Sequence, residues 1–255
     1  MNDHQLLRYS KHLFLDSVGF AGQERLLASH VLIVGAGGLG CAASMYLAAA
    51  GVGQLTVIDD DAVELSNLQR QIAFDTADIG LPKVQALANR LQQLNPDVRI
   101  NAVSHRLDDR WLQPWITQHQ PTVIVDCTDN FNTRFTLNRL CRQTQRPWVS
   151  GAAIGSTGQV ITFTNANEHS PCYACLYSPT LSDEAHDTCA QNGVLAPLVG
   201  VIGGLQGLHT MHLITKANPI EFAHQLCSFD AMSMQWRRHA LTADNQCSVC
   251  MRPTI

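Results

Sequence analysis

The sequence predicts an α/β fold in which a Rossmann-like, mostly parallel sheet carries helices on both faces. Three observations support this prediction. Short apolar segments alternate with helical ones from residue 31 onward, a glycine-rich turn follows the first of them, and 45% of the 255 residues are apolar. Alternating strands and helices are typical of a parallel sheet, and this apolar content suffices for one substantial core.

The strand candidates of the first part of the chain are short and rich in β-branched residues. They lie at 31–35, 55–59, 98–104, 122–128 and 147–153. Helical segments separate them near 39–50, 80–94, 109–118 and 131–144. Asp129 and Asn130 are suitable N-cap residues for the last of these helices.

The regular alternation of strand and helix candidates ends after residue 153. An apolar segment at 193–214 carries Pro197 and several glycines, so we interpret it as a buried core or interface helix. Two late strand candidates, near 226–230 and 234–241, predict an antiparallel extension of the sheet. We therefore expect a single domain over 1–255, with a nucleotide-binding half at about 1–153 and a second half at about 154–255.

Charge and composition argue against several classes of partner. The net charge is −4 and no basic tract is present, so nucleic acid is not expected as a partner. The uncharged residues 31–58 are long enough to span a membrane, but their glycines indicate two short strands around a packed helix. The N-terminus lacks the pattern of a secretory signal, which predicts a cytoplasmic protein without a membrane segment.

The first chemical motif is GAGGLG, which runs from Gly35 to Gly40 between a strand and a helix. Glycines there allow close approach of a phosphate, and the free N–H groups of the helix start favour an anion. Asp59 ends the next strand and is well placed to accept hydrogen bonds from ribose hydroxyls. The alternative is a tight turn that serves only helix–strand packing.

The segment SNLQRQ, residues 66–71, follows this nucleotide motif closely. Asn67, Gln69, Arg70 and Lys83 could supply donors and positive charge to a triphosphate, because arginine grips phosphate oxygens in pairs and lysine offers a compact charge. The alternative is a solvated polar turn.

The segment DCTDN, from Asp126 to Asn130, ends the probable fourth strand. Ligands of parallel sheets bind at that edge, and a carboxylate beside a triphosphate suits Mg²⁺, so Asp129 is a candidate magnesium ligand. The alternative is simple helix capping.

The nine cysteines include two C-x-x-C pairs, Cys172 with Cys175 and Cys247 with Cys250. Persistent disulfides are not expected in the cytosol, and two such pairs closing on one metal give a four-thiolate structural zinc site. We favour this interpretation over a redox dithiol.

Five cysteines remain, Cys41, Cys127, Cys141, Cys189 and Cys227, and four of them occupy recognisable contexts. Three of them, Cys41, Cys127 and Cys141, occupy helix or strand positions typical of small core residues. Cys189 instead lies in a polar stretch ahead of the apolar helix, where a thiolate is favoured, and it is a candidate for a chemical role; an accidental exposed thiol is the alternative.

Together, GAGGLG, DDDAVELSNLQRQ, LPK at 81–83, DCTDN, CYAC and CSVC closely resemble the motifs of the HesA/MoeB/ThiF family of ubiquitin-activating-enzyme-like adenylyltransferases. The resemblance runs from RYSKH at residue 8 to the last C-x-x-C pair. It implies that the protein uses Mg-ATP to adenylate the C-terminal Gly-Gly carboxylate of a small sulfur-carrier protein, which then becomes a thiocarboxylate.

The resemblance also implies a set of site residues. Asp59 would bind the ribose, Asp129 would hold magnesium, and Cys189 would become linked to the carrier or deliver sulfur. The implied nucleotide set is Gly35, Gly37, Gly38, Gly40, Asp59, Asn67, Arg70, Lys83, Asp129 and Asn130. The implied catalytic set is Arg70, Lys83, Asp129 and Cys189. The implied zinc ligands are Cys172, Cys175, Cys247 and Cys250.

Partners follow from the same resemblance. A homodimer is implied, in which the residue at position 11, commonly arginine but here Lys11, reaches the partner's ATP site. The sulfur donor is expected to be a separate cysteine desulfurase or rhodanese-like protein. Motifs of both pathways occur, and the sequence slightly favours the molybdopterin (MoaD-type) carrier over the thiamin (ThiS-type) carrier.

Two functions of other classes remain open at the level of the sequence. An NAD-dependent oxidoreductase would account for the glycine motif and Asp59, but not for Arg70, Lys83, Asp129 or the zinc site. A non-catalytic, zinc-stapled scaffold would not need phosphate-binding residues.

Overall fold

The computed structural model describes residues 1–165, 167, 170–178, 193–216 and 222–250. The strands are β1 (His30–Val34), β2 (Gln54–Ile58), β3 (Arg99–Val103), β4 (Val123–Asp126), β5 (Trp148–Ile154), β6 (Thr157–Phe163), β7 (Gln225–Asp230) and β8 (Gln235–Ala240). The helices are α1 (Asp3–Arg8), α2 (Ser10–Leu13), α3 (Gly19–Ala28), α4 (Gly38–Ala49), α5 (Lys83–Leu94), α6 (Asp109–His119), α7 (Phe131–Gln143), α8 (Tyr173–Leu176) and α9 (Ala196–Thr215).

All eight strands form one sheet in the order β3-β2-β1-β4-β5-β6-β7-β8. The first five strands are parallel, and β6, β7 and β8 add to them antiparallel. The predicted fold class is thereby confirmed, including the antiparallel extension. The connections that leave β1 and β4 diverge to opposite sides of the sheet, which opens a cleft at the carboxyl ends of these strands.

Alternation along the central strands divides the core into two layers. In β1, Val31 and Ile33 belong to the layer built with α4, α5 and α9, whereas Leu32 and Val34 belong to the layer built with α6 and α7. Side chains of a strand point alternately to opposite faces, so a strand covered on both sides is apolar throughout. This is why β1 reads as an uninterrupted apolar run.

The predicted apolar helix at 193–214 is α9, which packs against α4 and against β5 and β6. Among the described residues, it is the one helix long and apolar enough to cross a membrane, and 56% of its most apolar window is buried inside the fold. A helix that is apolar all round and covered in this way is a core helix. Tight packing requires its glycines: a Cβ on Gly203 would lie 2.5 Å from the Leu39 carbonyl oxygen of α4.

Two parts of the fold differ from the sequence prediction. The N-terminal helices α1, α2 and α3 are short, and no strand candidate flanks them, so the alternating pattern did not indicate them. The fourth strand ends at Asp126, not at residue 128, because the Asp126 carboxylate accepts hydrogen bonds from the backbone N–H and the hydroxyl of Thr128 and turns the chain there.

Candidate functional site

A cleft of about 610 Å³ opens at the carboxyl ends of the parallel strands. Its walls are the loops after β1, β2, β3 and β4, the polar segment around residues 67–71 and the start of α5. The predicted nucleotide-site residues that line it are Gly35, Gly37, Gly38, Asp59, Asn67, Arg70, Lys83, Asp129 and Asn130. Residues from five separate segments therefore meet at one edge of the sheet.

The glycine motif forms the floor of the cleft. Gly35 has φ +97°, and a Cβ there would lie 2.8 Å from the carbonyl oxygen of Cys127. Gly40 does not line the cleft; a Cβ on it would lie 1.9 Å from the Gly35 carbonyl oxygen, so its role is to let α4 pack against the turn. Around Gly37, by contrast, no atom approaches a built Cβ closer than 3.8 Å, so its backbone is open to a ligand.

Asp59 ties the loop after β2 to the glycine motif. Its carboxylate accepts a hydrogen bond from the backbone N–H of Ala36 at 2.7 Å and another from that of Asp61 at 2.8 Å. Burial raises the pKa of Asp59, while these two N–H groups and the Lys83 charge act in the opposite direction. The carboxylate is thus fixed at the edge of the cleft, with lone pairs left for a hydroxyl ligand.

The two predicted cations reach the cleft from different elements. Lys83 begins α5, is buried, and donates to the Asp61 carboxylate at 2.6 Å. Arg70 is partly exposed and donates to the backbone carbonyl of Ser66 at 3.1 Å, which leaves most of its guanidinium donors available. Gln69, which the sequence grouped with them, is exposed and is not among the residues that line the cleft.

Asp129 and Asn130 have different surroundings. Asn130 is the N-cap of α7, and its side chain accepts a hydrogen bond from the backbone N–H of Thr133 at 2.8 Å. Asp129 is exposed at the mouth of the cleft. Helix capping therefore falls to Asn130, and the Asp129 carboxylate is available to a hydrated cation such as Mg²⁺.

A buried ion pair beneath the cleft was missed by the sequence analysis. Arg134 of α7 lies 3.7 Å from the Asp126 carboxylate and donates to the backbone carbonyls of Thr128 and Gly151. Ser150 donates to the same carboxylate at 2.7 Å. Arg134 lines the cleft although only 5% of it is exposed. Arg134 follows Asn130 by four residues, and in a helix this spacing places both residues on the same face. The spacing could therefore have identified Arg134 as a residue near the cleft.

The two C-x-x-C pairs lie together beside α7, where Phe135 packs against them. Sγ to Sγ distances are 3.6 Å for Cys172 and Cys247, 3.4 Å for Cys175 and Cys250, and 4.0 Å for Cys172 and Cys175. Four sulfurs around tetrahedral zinc are separated by about 3.8 Å. The cluster therefore matches a four-thiolate zinc site in donor type, number and spacing.

Polar N–H groups surround this cluster as they would a charged thiolate site. Asn138 donates to Cys172 Sγ at 3.5 Å, and the backbone N–H of Asp244 donates to Cys175 Sγ at 3.4 Å. Burial raises the pKa of Cys172 to about 12 and also raises that of Cys250. A bound cation reverses this effect, because a coordinated thiol is deprotonated outright.

The cysteines outside the cluster do not form a second site in the described part of the chain. Cys41, Cys127 and Cys141 are buried, and burial raises the pKa of all three. They are small core residues, as their positions indicated. Cys189 lies outside the described residues.

Comparisons with known proteins agree with one another. A model of the ThiF family matches residues 9–249. The chain is 43% identical over 250 residues to the molybdopterin-synthase adenylyltransferase of Salmonella typhimurium, covering 98% of each chain. It is also 43% identical over 250 residues to the sulfur carrier protein ThiS adenylyltransferase of Escherichia coli, covering 98% of this chain and 97% of that one.

Solved structures share the fold at lower sequence identity. The crystal structure of E. coli MccB with ATP has a TM-score of 0.81 and is 21% identical, covering 95% of this chain and 73% of that chain. At this identity the likeness supports the fold alone.

Proposed function

The chain belongs to the ThiF family, and from this premise we propose that its cleft adenylates the C-terminal Gly-Gly carboxylate of a ubiquitin-like sulfur-carrier protein. The chain is an adenylyltransferase of the MoeB/ThiF type, as its full-length relatives are. One observation carries the proposal: Arg70, Lys83 and Asp129, which come from three separate segments, line the same cleft as the glycine motif. Had they been far apart, no single triphosphate could contact all three.

The reaction joins two anions. A carboxylate oxygen of the carrier attacks the α-phosphorus of ATP, the bond from that phosphorus to the bridging oxygen breaks, and pyrophosphate leaves with the electron pair. No general base is needed, because a carboxylate is already ionised at neutral pH. What the enzyme must do is hold the two reactants together and stabilise the charge that develops on the phosphate oxygens.

Each residue has a role in this scheme. The open backbone at Gly37 faces the phosphate chain, Asp59 accepts from the ribose, and Arg70 with Lys83 neutralises phosphate oxygens. Asn67, buried at the cleft wall, adds an amide donor. Asp129 would hold Mg²⁺, which supplies further positive charge to the phosphates.

Pyrophosphate exchange tests the proposal. We expect exchange of labelled pyrophosphate into ATP that requires a Gly-Gly carrier and falls at least about 100-fold in Arg70→Ala and Asp129→Ala, since each removes charge stabilisation of the transition state. The control is Gln69→Ala, an exposed neighbour outside the cleft. Exchange at the unmodified rate in the two cleft variants, or binding of NAD in place of ATP, would contradict the proposal.

Two carriers are candidates, because the relatives named for molybdopterin synthase and for ThiS are equally similar to this chain. We propose the MoaD-type carrier as the first substrate and the ThiS-type carrier as the second. Exchange assays with both carriers at equal concentration measure the ratio of kcat/KM. A ratio that favours the ThiS-type carrier would reverse the assignment. After adenylation, we propose that a separate cysteine desulfurase or rhodanese-like protein supplies the sulfur.

The proposal includes a homodimer. Tyr46 of α4 packs beside Gly204 and Gly207 of α9, yet it is 65% exposed, and the neighbouring Val201 and Leu208 are also exposed. A contiguous apolar patch of this kind is typical of an interface. We propose that a second copy covers it and that Lys11 contributes to the partner's ATP site. Sedimentation equilibrium should give a dimer that Leu208→Glu dissociates; a monomeric unmodified protein would contradict the assignment.

A further inference from the structure

Tyr173 is the first residue of α8, and its side chain is buried against α7. Only 1% of it is exposed, and its ring packs edge-on against the ring of Phe135 at 5.5 Å between centroids. Its backbone N–H donates to the Asn138 side chain of α7 at 3.0 Å. The start of α8 is therefore fixed on α7 through both its backbone and its ring.

The Tyr173 hydroxyl meets Arg134, one turn earlier on α7. Arg134 and Asn138 are four residues apart, so both lie on the face of α7 that contacts α8. Burial acts to lower the pKa of Arg134, but the Asp126 charge and the interaction with the Tyr173 hydroxyl raise it. A hydroxyl oxygen that accepts from a guanidinium favours its charged form in this way.

The two polar atoms have no other partner. Arg134 Nε lies 3.7 Å from the Asp126 carboxylate, beyond hydrogen-bond distance. Neither Nε nor the Tyr173 hydroxyl has another hydrogen-bond partner in the described part of the chain. The atoms match chemically, because the guanidinium N–H only donates and a phenol oxygen accepts. Buried polar groups are almost always paired, and here each group has the other.

The remaining donors of Arg134 hold the loop that carries Asp129. Nη2 donates to the backbone carbonyls of Thr128 and Gly151, and Thr128 directly precedes Asp129. A guanidinium is planar and rigid, so an acceptor at Nε also sets the direction of the N–H groups at Nη2. The hydroxyl of Tyr173 therefore acts on the peptide bond that leads into Asp129.

We propose that Tyr173 is a positioning residue for Asp129, the candidate magnesium ligand. Its hydroxyl accepts from Arg134 Nε–H, and the guanidinium held in this way orients the Thr128–Asp129 peptide at the mouth of the cleft. The inference rests on the proposed function. It extends the site to a residue of α8 that does not itself line the cleft.

Calorimetry on Tyr173→Phe, which removes the hydroxyl and keeps the ring, tests the inference. We expect the Kd of Mg²⁺ for the complex of the protein with a non-hydrolysable ATP analogue to rise about 5- to 20-fold. The Kd of the analogue alone, measured with a chelator present, should stay within twofold, because Arg70 and Lys83 lie on other segments. Pyrophosphate exchange should fall at low Mg²⁺ and recover to within twofold at saturating Mg²⁺, whereas that of Asp129→Ala should not recover.

The matched control is Tyr177→Phe, at the other end of α8. The Tyr177 hydroxyl shares a hydrogen bond of 2.8 Å with Gln159. Each variant loses one hydroxyl contact and should lower the melting temperature by about 2–4 °C, but Tyr177→Phe should leave the Kd of Mg²⁺ within twofold. The inference is overturned if the Kd of Mg²⁺ in Tyr173→Phe stays within twofold, or if it rises equally in both variants. Failure of the unmodified protein to bind the analogue would instead count against the proposed function itself.

Discussion

At the scale of single residues, Asp126 shows how the edge of the sheet is held in shape. Its carboxylate is fully buried and accepts from Thr128 and Ser150, and Arg134 is its charged partner. Gln206 of α9 donates to the Asp126 backbone carbonyl at 2.6 Å. These contacts join β4, β5, α7 and α9 directly below the cleft, so the position of the loop that carries Asp129 depends on them.

Removing one charge of the Asp126–Arg134 pair should destabilise the fold. Arg134→Met leaves a buried carboxylate without its cation, and we expect the free energy of unfolding to fall by about 3–5 kcal/mol. The control on the same helix is Arg139→Met, which breaks an exposed pair with Asp109 and should cost about 1 kcal/mol or less. Urea unfolding measures both. Equal, small losses in the two variants would show that the Asp126 charge is satisfied by its hydroxyl and N–H donors alone.

Residues at strand ends were the predictable part of the site. Asp59 comes directly after β2 and Asp129 comes three residues after β4, and parallel strands bring their carboxyl ends to one edge. Arg134 and Gln71 were not predicted as cleft residues. A polar side chain in a helix or turn usually faces water, and only the packing of α7 and of the 67–74 turn buries these two.

At the scale of elements, α9 connects the two halves of the molecule. It packs against α4 of the first half and against β6 of the second. Its polar residues are buried with it: His209 is 7% exposed, shares a hydrogen bond of 2.9 Å with the Thr162 hydroxyl of β6, and lies 4.1 Å from the Phe222 ring between centroids. This histidine makes the stability of the helix packing depend on pH.

The pH dependence has a definite sign. Burial, aided by the charges of His212 and Arg238, lowers the pKa of His209 from 6.5 to about 4. Between pH 6.5 and about pH 4, His209 binds a proton in the unfolded chain but not in the folded chain. Stability is therefore complete above pH 6.5 and falls by about 3 kcal/mol as the pH drops to 4.

Denaturant unfolding at a series of pH values measures this effect. His209→Gln cannot titrate, and we expect it to lose about 3 kcal/mol less than the unmodified protein between pH 6.5 and pH 4. His119→Gln, at the exposed end of α6, is the matched control and should retain the full slope. A His209→Gln profile parallel to that of the unmodified protein would show that His209 accepts a proton in the folded state.

The sequence predicted elements well where a strand is covered on both faces and is therefore apolar throughout. Strands β1, β2 and β5 lie within one or two residues of the predicted segments. It did not indicate α1, α2 and α3, because short helices with mixed polar residues lack a clear period. It also did not predict the strand order, since adjacency in the sheet depends on contacts between segments that are distant in the sequence and not on local pattern.

At the scale of the whole molecule, the four-cysteine cluster joins two segments of the second half that are far apart in the sequence. Cys172 is the N-cap of α8 and Cys175 lies within this helix, which packs on α7. Cys247 and Cys250 follow the strand pair β7 and β8. The exposed β8 ends the sheet, and every residue of it is exposed. The cysteine cluster attaches the C-terminal segment to the rest of the fold, because Cys247 and Cys250 contact Cys172 and Cys175.

Zinc should therefore act as a structural staple that is separable from nucleotide binding. We expect about one zinc per chain by elemental analysis, and its loss in Cys250→Ser should lower the melting temperature by about 5–10 °C, or about 3 kcal/mol. The Kd of an ATP analogue should change less than twofold, because the cleft is built from the loops after β1 to β4 and the start of α5. Cys227→Ser, a half-buried thiol of β7 outside the cluster, is the control. A metal-free protein with unchanged stability would contradict the staple, and a parallel loss of ATP affinity would show that the two sites are coupled through α7.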